Sequence, residues 1–389
     1  MAECALPQQP SLRTRAVFMC AGVVAANAPD VDLLYTSLMA EQPLGYLLHH
    51  RGHSHTLPGL AALGLLIGSC LLLPRIRRAV DGTEHRWILL IAAALLSHLL
   101  MDTANGYGTH ILYPVSSRWV FGDAVFVLEP WLWAILGAIL AVNTRHPWRV
   151  LVVLLTLVPI GAVVYAGLLQ AGVLAAMLSA AGLAAMTVRG WKRRRRAATA
   201  LVATAGIFLA MAVISQLAKS AARQAVVGLD NADVVDIVAD ANPGVPWCWA
   251  VLILQKASGG AREELVARRA TLSLVPRLWS AASCASARLA RSRQWSDDAT
   301  SSATIVWHRQ WRIRVEELRA LFAGNCRVRA WLQFGRVPYV TDGYIVDLRF
   351  ETPIGQNFTR MIVDAPSRGC PAHLTHWELP RQDVRLTDP

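Results

Sequence analysis

"HHRGHSHTLPGLAALGLLIGSCLLLP", residues 49–74, sets four histidines and an arginine directly before an unbroken apolar run. A bilayer core takes about 20 apolar residues per helix, fewer where the helix ends snorkel, so residues 57–73 are a candidate span. Further runs follow at 87–104, 125–142, 149–167, 171–188 and 198–218, with a shorter one at 16–28. The composition agrees: 54% of the 389 residues are hydrophobic and 16% charged, and the mean hydropathy of +0.37 lies outside the usual globular range. The short run follows Arg13 and Arg15 as a signal-peptide core would, but "NAPDVD" behind it makes a poor cleavage site, so it reads as a helix. The expected fold is an all-α polytopic membrane helix bundle of about six or seven helices, followed by a small soluble α+β domain. The expected divisions are 1–218 for the membrane domain, 219–303 for a helical connector and linker, and 304–389 for the soluble domain.

The arginines give the orientation. Arg75, Arg77, Arg78 and Arg86 lie between two runs, Arg145 and Arg149 in a later loop, and "RGWKRRRR" (189–196) in another. These loops alternate along the chain and so share one side, which the positive-inside rule makes cytoplasmic. The opposite loops hold only Arg51 and Arg118. The net charge of +12 is thus mostly a topology signal, and no nucleic-acid partner is expected; the partners expected are the bilayer and a small-molecule or lipid substrate. Oligomeric state has no signature in the sequence.

Polar groups interrupt the apolar pattern in few places. "APDVD" supplies Asp30 and Asp32, "HHRGHSHT" supplies His50, Arg51, His53 and His55, and "SHLLMD" supplies His98 and Asp102. The last two are four residues apart, on one face of a helix. "GDAVFVLEPWLW" adds Asp123 and Glu129. All of these fall on the side opposite the arginine loops, although that side was assigned from the arginines alone. Singly, each has an ordinary reading: Asp30 as a loop residue, His98 with Asp102 as an internal hydrogen bond, the histidines as interfacial decoration. Together, neutral imidazoles and carboxylates are the ligand set of zinc and similar divalent ions, and ionisable groups at a bilayer usually mark function. Asp30, His50 or His53, and His55, with His98 and Asp102, are candidate ligands, and Asp32 is a further ligand or general base. Arg51 is a phosphate anchor or the partner of a ligating carboxylate. His49 and His110 are bystanders, and "NGYG" with Pro114 shapes the loop between them.

"APDVD", "HRGHSHT" and "SHLLMDTANGYGTHILYP" resemble, in order and spacing, the P-D-x-D, H-R-G-x-[ST]-H-[ST] and H-x-x-x-D…YG…P signatures of the YdjM-like (LexA-regulated) membrane-bound metal-dependent hydrolase family. "GDAVFVLEPWLW" is similar too, with Glu129 where an aspartate is usual, and the likeness is strong over about 15–140. It implies a divalent-metal site, zinc the expected ion, on Asp30, His50, His55, His98 and Asp102. It places Asp32 close by; Asp32 and Arg51 are the expected catalytic residues, and the bacterial inner membrane the expected location. It implies a hydrolase acting on a phosphoester or lipid-like substrate through its similarity to zinc phospholipases and P1-type nucleases. Family members commonly carry a T-H or G-H dipeptide on a helix ahead of P-D-x-D, where this sequence has only "MAECALPQQPSLRT". The sequence upstream of Met1 is therefore expected to encode a short apolar stretch with a histidine, or this copy to lack one ligand. A transporter or a scaffold with a structural metal is the alternative function. Transport asks for polar groups through the membrane depth, and the interiors of the last three runs carry no charge.

In the tail, residues 261–293 read as helical, "SDDATSSAT" as a linker, and "VRAWLQFG", "YIVDLRF" and "NFTRMIV" as strands. His308, Asp342 and Asp347 stand isolated and read as surface or strand residues. Cys248, Cys284, Cys326 and Cys370 allow up to two disulfides if the tail is extracytoplasmic, or are free thiols. The metal site and the tail are both expected on the non-cytoplasmic side.

Overall fold

The computed structural model describes residues 1–126, 129–227, 233–257, 263–284, 301–341, 343–350, 357–363, 370 and 375–384. Every apolar run becomes helix: α1 (Leu12–Asn27), α2 (Leu57–Gly68), α3 (Glu84–Thr103), α4 (Pro130–Asn143), α5 (Trp148–Tyr165), α6 (Ala171–Val188) and α7 (Arg193–Ala225). Among the described residues, Leu12–Met39, α3, α5, α6 and α7 are each long and apolar enough to cross a membrane. The run at 57–73 differs from expectation. It pairs with Leu44–His55 across a 66° bend, as a broken span or re-entrant loop. The break falls on the histidine motif, where Thr56 caps α2 by accepting from Gly59 N and Pro58 occupies the first turn. α4 has 14 residues and is too short to cross alone.

The tail builds on a four-stranded antiparallel sheet in the order β1 (Asp233–Ala241), β2 (Cys248–Lys256), β3 (Glu264–Ser273), β4 (Ile305–Arg314). The strands thus begin well before residue 304, and the helical reading of 261–293 fails over 264–273. There the chain forms an inner strand paired on both sides, and ladder hydrogen bonds override the helix propensity of Arg and Ala. The stretch "VRAWLQFG" fails in the opposite sense: its first half ends a helix, α9 (Cys326–Trp331), which follows α8 (Val315–Gly324), and its second half is a turn. Asn325 caps α9 by accepting from Arg327 N and Val328 N, and that start signal outweighs the alternating apolar pattern. A second sheet, β5 (Pro338–Thr341), β6 (Tyr344–Asp347) and β7 (Met361–Ile362), follows the other two expected strands. His308 and Asp347 are strand residues, both buried, and Asp342 lies outside the described residues. The four tail cysteines pair as Cys248–Cys284 and Cys326–Cys370.

Two cores bind the tail to the bundle. On one face of the large sheet, Ile237, Ala239, Trp249, Val251 and Ile253 pack with Met211, Ala218 and Ala222 of α7. On the other, Val238, Leu252, Leu254 and Trp311 join Trp331 and Phe334 to Leu44, Leu47, Leu48, Tyr107 and Trp119 of the membrane part. The tail therefore sits on the end of the bundle that carries the histidine motif. At the far end, Arg15 and Arg193 gather around Glu3, and Arg193 donates to Asn143 O.

Within the bundle, α4 and α5 touch where Gly137 faces Thr156. A Cβ on Gly137 would lie 2.1 Å from Thr156 Oγ1 and 2.4 Å from its Cγ2. Gly137→Ala is expected to lower stability in detergent by about 1–3 kcal/mol through overpacking, and adding Thr156→Ala to restore it. An unchanged melting temperature in the single variant would show that the two helices do not meet there.

Candidate metal centre

Four side chains from three segments converge. Asp30 stands on the 3-10 segment Ala28–Leu34 that continues α1, His55 at the break before α2, and His98 and Asp102 one turn apart on α3. His55 Nε2 lies 3.2 Å from His98 Nε2 and 3.0 Å from Asp102 Oδ2. His98 Nε2 lies 3.3 Å from Asp102 Oδ2, and Asp30 Oδ1 is 3.6 Å from the first imidazole and 3.5 Å from the second.

The far side of each ring fixes its proton. His98 Nδ1 is 2.7 Å from the Ala26 carbonyl, which can only accept, so Nδ1 carries the hydrogen. His55 Nδ1 sits 3.0 Å from Asp32 Oδ2. With both rings neutral, as metal ligands are, the Nε2 lone pairs would aim into the space between the two carboxylates, where Asp102 Oδ2 is buried without a hydrogen-bond donor. Four electron-rich atoms at this spacing repel unless a cation or added protons sit among them. A tetrahedral zinc with ligands about 2.0–2.1 Å away has ligand–ligand edges of about 3.3–3.4 Å, close to the separations found. The donor set fits a divalent ion. Asp30, His55, His98 and Asp102 form one group able to hold it, and Asp30, Asp32 and His50 a second.

The surrounding groups hold these ligands in place, as the outer partners of metal ligands do. Asp32 is fully buried and takes His50 Nδ1 on Oδ1 at 3.0 Å, with Arg51 N and Ser54 Oγ on Oδ2, each at 2.8 Å. Of the two sequence readings of Arg51, the contacts match the carboxylate partner. Its guanidinium lies 3.0 Å from Asp102 Oδ1, donates to Asn105 Oδ1 at 2.8 Å and covers the Tyr107 ring. Arg51 adopts φ +60°, a left-handed conformation costly for a residue with a Cβ, and thereby offers its backbone N–H to Asp32 and its side chain to Asp102.

Other polar residues of the sequence reading lie elsewhere. His53 packs on Tyr113 and Trp377, and His110 stacks on Trp377 with ring centroids 3.8 Å apart. Burial holds the His110 imidazole down at about 3, so it is neutral. Asp123 leaves the cluster altogether for Lys219 and Arg336. Glu129 caps α4 and accepts from Gly244 N at 3.2 Å. The sequence reading passed over Ser54 and Asn105, although both lie inside its motifs. It also passed over Tyr46, which stacks on His50, and Phe358, which packs against Tyr46 and Tyr107. For Tyr46 and Phe358 no local signal exists, since the tail must fold over the bundle to bring them together.

Bundle and cluster together define a multi-pass membrane protein with a histidine–aspartate centre suited to a metal ion. Residues 2–174 match the sequence model of the YdjM inner membrane protein family. The uncharacterized protein YfhP of Bacillus subtilis (strain 168) is 28% identical over 116 residues, covering 29% of this chain and 33% of its own. The chain thus spans about a third of the length of that relative. No solved structure matches.

Burial pushes the Glu129 carboxyl up to about 7 from the ordinary 4.5, against the pull of the Trp131 and Gly244 N–H groups. A raised carboxyl pKa stabilises the fold fully below the ordinary value and loses that contribution as pH rises through the folded one. Stability should therefore fall between pH 4.5 and about 7, by at most about 3 kcal/mol. Glu129→Gln keeps the acceptor oxygen and is expected to flatten this fall in melting curves taken across the range. A wild type already flat there would remove Glu129 as the cause.

Proposed function

We propose that this chain is a metal-dependent hydrolase of the membrane interface, acting on a phosphoester or lipid-like substrate with zinc held by His55, His98, Asp102 and Asp30. The observation that carries the reading is the pair of imidazole lone pairs turned, by the Ala26 carbonyl and Asp32, toward two carboxylate oxygens. A zinc ion bound there supplies Lewis acidity toward an ester or phosphoryl oxygen and acidifies water.

The chain's own residues then divide the work. Asp30 is the most open of the four, its side chain 39% exposed against 0, 13 and 16% for the others, so substrate approaches past it. Its neighbours Val31, Leu33, Leu34 and Leu38 are exposed apolar residues, which favours a substrate that lies in or against lipid. Asp32 is engaged on both oxygens and acts as a positioning residue for His50 and His55. Arg51 likewise orients Asp102 and neutralises it in part. Tyr46, Tyr107 and Phe358 form an aromatic wall beside His50 and exclude water from that side.

The purified protein is expected to carry a divalent ion, measured by elemental analysis in detergent, and His98→Ala with Asp102→Ala to lose it. Asp32→Asn is expected to weaken binding by about 10–100-fold while the protein still folds. Equal metal content in wild type and double variant would sink the assignment.

The cluster and the tail are read as non-cytoplasmic. The arginine loops support this, and so do the two disulfides, which persist in oxidising compartments. A phosphatase fusion after residue 227 is expected to be active and one within 189–197 inactive, with the reverse pattern for a fluorescent-protein fusion. The opposite result would invert the orientation.

A further inference from the structure

The arginine-rich end of the bundle holds a second feature that the metal centre does not use. There α4, α5, α6 and the start of α7 border an open cavity of about 510 Å³. Ala138, Ala141 and Val142 of α4 and Ala185 and Met186 of α6 form apolar walls, while Arg149, Arg189 and Arg196 line it with charge. Among the described residues, no acidic side chain lines it.

The end of α4 tethers two of these arginines. Arg149 Nε donates to Ala141 O at 3.0 Å and to Thr144 O at 3.1 Å, and Arg196 donates to Val142 O at 3.3 Å. Arg196 Nε is buried without an acceptor. Arg149 and Arg196 also lie in the first turns of α5 and α7, where the helix macrodipole is already positive and disfavours cations. Positive charge accumulated against the dipole, beside an unpaired donor and without a facing carboxylate, calls for an anion. The small apolar walls above the charge call for a hydrocarbon chain. The planar guanidinium fork suits phosphate, and basic pockets between spanning helices suit acidic lipid head groups.

We propose that this cavity binds an anionic phospholipid of the adjoining leaflet. Its phosphate meets Arg149, Arg189 and Arg196, and an acyl chain lies along Ala138, Ala141, Ala185 and Met186. The site is independent of the metal centre and of the orientation of the chain.

The test is native mass spectrometry of the full chain in a neutral detergent, titrated with phosphatidylglycerol or phosphatidylcholine. Wild type is expected to retain one phosphatidylglycerol above the phosphatidylcholine background. Arg189→Gln changes an exposed side chain and is expected to weaken retention about fivefold, as loss of one basic contact near a lipid surface would. Ala185→Trp fills the apolar wall, leaves every arginine in place and is expected to abolish retention. Should it fail to fold, judged by circular dichroism, Arg189→Gln decides alone. Equal retention of the two lipids, or retention at the wild-type level in the folded variants, overturns the proposal. So does displacement of phosphatidylglycerol by an equal concentration of inorganic phosphate, which would mark a site for soluble anions.

Discussion

A carboxylate removed from water must be met by donors, and Asp32 is fully removed. The Arg51 backbone N–H, the Ser54 hydroxyl and two imidazoles, His50 and His55, surround it. These partners all come from the stretch 50–55, so satisfying one buried charge bends that stretch against the end of α1. An unpaired buried charge costs several kcal/mol, about as much as the net stability of a small domain has to spare. The break between Leu44–His55 and Leu57–Leu72 is therefore enforced by Asp32 as much as by Gly52 and Pro58. Irregular backbone at membrane depth is tolerated only where it is covered by protein or lines a polar cavity. The histidine motif meets both conditions, because Asp32 lies beneath it and the tail lies over it.

A second set of buried charges fixes the tail. Arg336 donates to both oxygens of Asp123, in the loop before α4, and to both of Asp236 on β1. Lys219 of α7 completes the shell of Asp123 at 2.7 Å. Pairs of this kind add little net stability, since desolvation offsets most of the attraction, but they penalise any docking that leaves one partner alone. The apolar cores on the two sheet faces supply the driving force, and the Arg336 network selects the register in which they close. Arg349 and Trp377 extend the same control toward the cluster, donating to Gly106 O and Leu48 O at 2.8 Å each.

How much of this the sequence disclosed follows from the range of the interactions. Helix positions depend on local apolar runs, and every run became helix. The residues that converge were legible because H-x-x-x-D on a helix, P-D-x-D and the histidine motif each carry several histidines or carboxylates within a few residues. What failed was long-range. The strand Glu264–Ser273 looks helical alone and is a strand only because two neighbours pair with it. Asp123 looked like a further polar group of the cluster because its true partners, Lys219 and Arg336, lie 96 and 213 residues downstream. Arg51 could be read in two ways until Asp102 and Asn105 were seen within reach of its guanidinium.

The two ends of the bundle obey different electrostatic rules. At the arginine end the charges are exposed or half-buried, mostly positive around Glu3, and several are held by carbonyls at helix ends, facing water and head groups. At the cluster end the charges are buried, of both signs, and bonded in closed sets around Asp32, Asp102 and Asp123. Positive charge gathered at the water interface orients a chain in a bilayer, and its tethers turn it toward head groups rather than toward a reacting centre. Closed buried sets fix geometry at the expense of desolvation, and such a cost is retained where geometry matters. Under the proposed hydrolase function, the chemistry belongs to the end the tail covers. The exposed apolar residues beside Asp30 then make the flank of the cluster, rather than its covered top, the proposed side of substrate approach.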